Sequence, residues 1–159
     1  MNLLRFFQWM SQTPVCQALA QSPWAFAVIE SVHLLGLAAI GGAVLVLDLR
    51  LLGLGLRDQP IDRIARDAHP WLVRSLIVML ATGVLLFSTE PVKCYQSTAF
   101  RVKMSSLLLA MIFAFTVRQR VAMAGDGRVK PVWLKVVAIV SLTLWFGVGA
   151  SGRWIGFSA

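Results

Sequence analysis

Four continuous apolar runs, each long enough to cross a bilayer, constrain this chain more than any other feature. A spanning helix needs about 20 mostly apolar residues to cross roughly 30 Å of hydrocarbon. Within it, every backbone N–H and C=O must find its partner inside the segment. The first run opens at Ser22-Pro23-Trp24 and stays apolar to Leu47, ahead of Asp48 and Arg50. A serine N-cap, a proline in the first turn and an interfacial tryptophan are what such a helix start requires. The second run goes from Pro70-Trp71 to Phe87 and stops at Ser88-Thr89-Glu90-Pro91. The third starts near Ser97-Thr98, is mostly apolar from Met104 to Val117 and breaks by Gly125-Asp126-Gly127. The fourth begins at Pro131-Val132-Trp133 and ends near Ala150. None of the runs alternates, so they read as helices rather than strands of a membrane barrel. The expected fold is all-α: a transmembrane four-helix bundle with spans at about 24–47, 70–88, 99–118 and 131–150. Short connections make neighbouring helices antiparallel.

Composition excludes the rival classes. Of 159 residues 58% are hydrophobic and only 14% charged, whereas a soluble domain carries about 25% charged residues. A domain of this size cannot hide that apolar excess in a core. The net charge of +8 and pI near 10.8 read as topology rather than nucleic-acid binding. Ten of the fifteen Lys and Arg residues flank or occupy the 48–70 and 118–131 loops, among them Arg50, Arg63, Arg66, Arg118 and Lys130. The other five are Arg5, Lys93, Arg101, Lys103 and Arg153. That bias puts both loops in the cytoplasm and both termini in the periplasm of a bacterial inner-membrane protein.

Residues 1–21 form a separate N-terminal segment ahead of the bundle at 22–159. Leu3, Leu4, Phe6, Phe7, Trp9 and Met10 are interrupted by Arg5 and Gln8, an amphipathic pattern too broken for a signal-peptide core. An interfacial helix on the outer surface is expected. In the 53–69 loop, Ile61, Ile64 and Ala65 share one helical face, which predicts a short helix lying in the opposite interface.

Ionisable groups inside a span are rare and costly, so each is a functional candidate. Glu30 and His33 lie three residues apart, on one face of the first helix. His33 falls about 13 Å below Trp24, and both side chains are expected to point into the bundle or a partner. Counted by depth, Met79 and Thr82 of the second span reach the same layer, as do Ser105, Ser106 and Met111 of the third and Ser141 and Thr143 of the fourth. His33 has three readings. It is a neutral packing residue fixing helix register, an axial ligand of haem b, or, with Glu30, a hydrogen-bond partner for a quinone or a proton relay. The second histidine, His69, differs from His33 in depth by roughly 20 Å. The two cannot sandwich one haem, so Met79, Met111, a second protomer's imidazole or an open position would complete the iron. Gly147 to Gly152 spells G-x-G-x-x-G, but at the end of a spanning helix with no preceding strand it lacks the dinucleotide context. Cys16 and Cys94 both fall on the outer, oxidising side, which leaves two readings: a disulfide between them, or two free, partly buried thiols.

Ser31-Val32-His33-Leu34-Leu35-Gly36-Leu37-Ala38, Leu47-Asp48-Leu49-Arg50-Leu51-Leu52-Gly53, Thr82-Gly83-Val84-Leu85-Leu86-Phe87 and Gly152-Arg153-Trp154-Ile155 together resemble a family of uncharacterised bacterial four-helix membrane proteins. That family is loosely similar to copper-resistance D and b561-type cytochrome membrane proteins. The resemblance implies architecture and a histidine-bearing bundle. The functional expectation is a redox-associated subunit that binds haem b or a quinone at His33 and Glu30, not a stand-alone enzyme. Four thin helices rarely enclose a large site, so a homo-oligomer or a larger membrane complex is expected. The alternative is a structural or assembly subunit without a cofactor.

Overall fold

Each helix begins where a capping residue or proline satisfies the first turn. The structure, a computed structural model, describes residues 5, 8–9, 11–89 and 91–155. Helix α1 (Pro14–Gln21) follows Thr13, and α2 (Pro23–Leu52) is capped by Ser22, whose hydroxyl accepts the Ala25 N–H at 3.3 Å. Helix α3 covers Ile61–Thr89 and the short α4 Pro91–Gln96. Helix α5 (Thr98–Met123) is capped by Ser97 and contains one π-helical turn, Ala114–Arg118. Helix α6 covers Pro131–Ile155. The expected N-terminal helix at 1–10 falls largely outside the described residues.

Helices α2, α3, α5 and α6 are each long and apolar enough to cross a membrane, which fits an integral membrane protein. They close a four-membered ring in which α2 packs on α3 and α6, and α5 packs on α6 and, through its last turns, on α3. The core is a stack of Ile40, Val44, Leu72, Leu76, Met79, Leu107, Ala110, Trp145 and Val148. A second cluster holds Leu47, Leu51, Ile61, Ile64, Ala65, Ala122, Val137 and Ala138. Outside lies a belt of exposed Leu35, Ile77, Val84, Leu109, Ile139 and Phe146. Such a surface would aggregate in water and suits acyl chains.

Two expected boundaries are corrected. Helix α2 does not end at Leu47 but continues to Leu52 and stops at Gly53, whose φ of 75° is left-handed. Asp48 is therefore inside the helix, with no exposed surface, bonded to an equally buried Arg118. The 61–67 stretch is not a separate interfacial helix. It forms the first two turns of α3, which runs through Pro70 without interruption. Ile61, Ile64 and Ala65 do share a face, but that face packs on Leu47, Leu51 and Ala122 instead of on lipid. Asp126 ties the two loops of this end together. Its carboxylate accepts from Arg50 at 3.0 Å and from the Ile61 N–H at 3.2 Å.

Candidate functional site

His33 is buried between α2 and α3, its ring packed against Gly83. A Cβ at position 83 would lie 3.4 Å from the His33 Cε1, so the ring rests directly on the α3 backbone. On the preceding residue, Thr82 Oγ1 lies 2.9 Å from His33 Nδ1. The Thr82 hydroxyl has one proton, and its short bond is to the Val78 carbonyl at 2.7 Å. Toward the imidazole the oxygen must therefore accept, so Nδ1 carries the hydrogen. The neutral ring then has its lone pair on Nε2, the form that accepts a hydrogen bond or binds a metal. The bond to Thr82 fixes both the tautomer and the ring plane, as outer partners of functional histidines do.

The ring borders two cavities near the α4 end of the bundle. The larger, about 320 Å³, is lined by apolar Phe26, Leu34, Leu86, Phe87 and Phe100 and by polar Glu30, Thr89, Lys93, Cys94, Ser97 and Lys103. Phe87 and Phe100 stack with centroids 5.4 Å apart, forming an aromatic wall between α3 and α5. The smaller, about 200 Å³, lies on the α6 side, among Leu37, Met79, Val148, Gly149, Gly152 and Arg153. His33, Leu34 and Lys103 border both. Larger hollows on the outer surface of α2 are almost wholly apolar and read as lipid grooves.

The expected layer is assembled only in part. Thr82 holds the imidazole and Met79 shares the smaller cavity with it, whereas Met111 packs against the core and borders neither space. Glu30 lines the larger cavity but is exposed at its rim and makes no hydrogen bond or ion pair with His33. It lies one turn before His33 on the same face of α2, at the part of the cavity wall beyond the contact with α3. Ser105 and Thr143 are exposed, and Ser106 sits beside Gly147. Ser141 belongs to another layer, next to Asp48. Cys16 and Cys94 are not joined to each other by a disulfide. Cys16 is buried on α1, which packs on α2 and α3, while Cys94 lines the cavity on α4, which packs on α3 and α5. His69 packs edge-on to Phe115 near Arg118, far from His33.

Sequence reasoning missed two features. One is Lys103, counted above as a topological charge although it lies inside α5 and borders both cavities. The other is the ion pair at the opposite end. Arg118 Nε donates to Asp48 Oδ1 at 2.8 Å and its Nη2 to the Val44 carbonyl at 3.1 Å. The π turn that ends at Arg118 is what re-aims this side chain into the bundle. Asp48 lies fifteen residues beyond His33, about 22 Å along α2. Ile40, Val44, Leu72 and Leu76 lie in the interval.

No curated protein and no solved structure matches the chain. A family model does, over residues 6–158, and it is described as a family of unknown function, DUF6644. The match carries no link to copper-resistance D or b561-type proteins. It agrees with the resemblance to an uncharacterised family, and spanning nearly the whole sequence it shows that the chain belongs to DUF6644.

Proposed function

We propose that this protein is a redox-associated membrane subunit that binds the ring of an isoprenoid quinone against His33. The observation that carries the reading is an imidazole held at Nδ1 by Thr82, at the wall of a cavity of about 320 Å³. At roughly 30 Å³ per water, that volume equals about ten waters. A substituted six-membered dione fits it, while a porphyrin macrocycle has far more atoms. Phe87 and Phe100 offer a flat apolar wall, and Phe26, Leu34 and Leu86 offer an apolar side by which an isoprenoid tail reaches lipid.

A bound quinone supplies two-electron, two-proton chemistry. This chain's residues bind and orient the ring, with Nε2 accepting from a hydroxyl of its reduced form. Glu30, about 9 Å below Trp24 along α2 and exposed, fits a second chain packed at the rim, as a homo-oligomer or a larger complex would provide. The setting we propose is a bacterial inner membrane, with the cavity mouth and both termini periplasmic.

Haem b is the second reading, favoured by one observation: an imidazole with Nδ1 hydrogen-bonded is also the metal-ligating form. His33 would be one ligand and Met79 the nearest thioether. The experiment is purification in mild detergent, extraction of bound lipid for mass spectrometry, and an absorption spectrum. The expected result, under reducing conditions that keep the ring as quinol, is isoprenoid quinol in near-stoichiometric amount, lost in His33→Ala, with no Soret band. A Soret band lost in His33→Ala would transfer the site to haem. Wild-type protein carrying neither would leave His33 as a packing residue in a structural or assembly subunit.

A further inference from the structure

We propose that Lys103 is the second polar anchor of this site and holds the oxidised form of the ring, while His33 holds the reduced form. The proposal rests on the quinone reading above and adds a residue and a redox preference to it.

Lys103 sits in α5, within a span, half-buried, and stands beside His33 on both cavities. Its stem lies along α6 where Gly152 has no side chain. A Cβ there would meet Nζ, Cε and Cδ at 3.5, 3.6 and 3.8 Å. The Cys94 thiol and the His33 ring both act on it across the cavity. Among the described residues its ammonium makes no ion pair and no hydrogen bond, although Glu30 lines the same cavity. An ammonium at membrane depth is normally paired or directed at a function, because leaving it half-desolvated without an acceptor is costly. The same chain does pair the cation it buries fully, Arg118. Lys103 therefore lacks an acceptor where the cavity has space for one.

The two anchors have opposite chemistry. An ammonium only donates, and a neutral imidazole with its hydrogen on Nδ1 only accepts at Nε2. A dione ring presents acceptors only, so it is held through Lys103. A dihydroxy ring also donates, and so engages His33 as well.

The test uses full-length protein in detergent, with a short-chain ubiquinone and its quinol as probes, by isothermal titration calorimetry. Hydrogen bonds to charged groups support an effect of roughly tenfold or more. Lys103→Met should weaken quinone binding by that factor and quinol binding less. His33→Ala should do the reverse, and Lys103→Arg should retain most of the quinone affinity. Helicity by circular dichroism should be unchanged in all three. Equal weakening of both redox forms in Lys103→Met, or wild-type affinity for quinone, overturns the assignment even if His33→Ala still abolishes binding. Wild-type protein that binds neither probe overturns the parent reading and this one with it.

Discussion

Replacing Arg118 with methionine should destabilise the bundle more than any other single change of similar volume. Arg118 is 2% exposed and Asp48 0%, and their bond of 2.8 Å is supported by the Val44 carbonyl. The adjacent Ser141 hydroxyl is the other side chain that acts on this carboxylate. Removing the guanidinium strands a carboxylate among Leu47, Val137 and Ala138 with little to replace it. Breaking a buried pair from one side costs about 3–5 kcal/mol. For a chain of this length that is roughly a 6–20 °C loss of Tm. The assay is thermal unfolding of detergent-solubilised Arg118→Met, Asp48→Leu and the double variant, followed by circular dichroism. Each single variant should fall by that amount. The double variant should recover most of it, because replacing both members by apolar groups is often neutral or stabilising. Single variants within about 1 kcal/mol of wild type, or a double variant as unstable as the sum of the singles, would refute the reasoning.

Other expectations follow from the same coordinates. Gly83→Ala should be tolerated, since its Cβ makes ordinary contact with His33 Cε1 at 3.4 Å. Gly83→Val should push the ring off Thr82 and weaken quinone binding about fivefold, the worth of one hydrogen bond, as read by titration calorimetry. Cys94, half-buried at the cavity, should react with a maleimide in the folded protein, while Cys16, 7% exposed, should react only after unfolding. Bound quinone should slow the Cys94 reaction, and equal labelling of both thiols by mass spectrometry would count against the site geometry.

The helix starts were legible because each carries a local signal that needs no partner: Ser22-Pro23, Ser97-Thr98 and Pro131. The ends were less so. Asp48 reads as an interfacial charge until Arg118, seventy residues away, is brought against it by packing. Pro70 reads as a helix start, yet within α3 it only removes one donor. The bundle accommodates that loss without a break. For the site, depth counting along one helix correctly brought Thr82 and Met79 to His33, because depth depends only on the 1.5 Å rise. Rotation about each axis depends on neighbours, so Met111 and Ser141 were assigned to a layer they do not share with it. Lys103 was legible in principle. It follows Thr98 by five residues and so lies inside the third span, where an ionisable group is a candidate by default.

The most direct test of the central claim is nitrogen NMR of ¹⁵N-histidine-labelled protein in detergent, with His33 assigned by comparison with His33→Ala. The account predicts a neutral ring at pH 8 with the hydrogen on Nδ1 and a pyridine-type Nε2 whose resonance moves when a short-chain quinol is added. A hydrogen on Nε2, or an Nε2 resonance indifferent to the quinol, would contradict it.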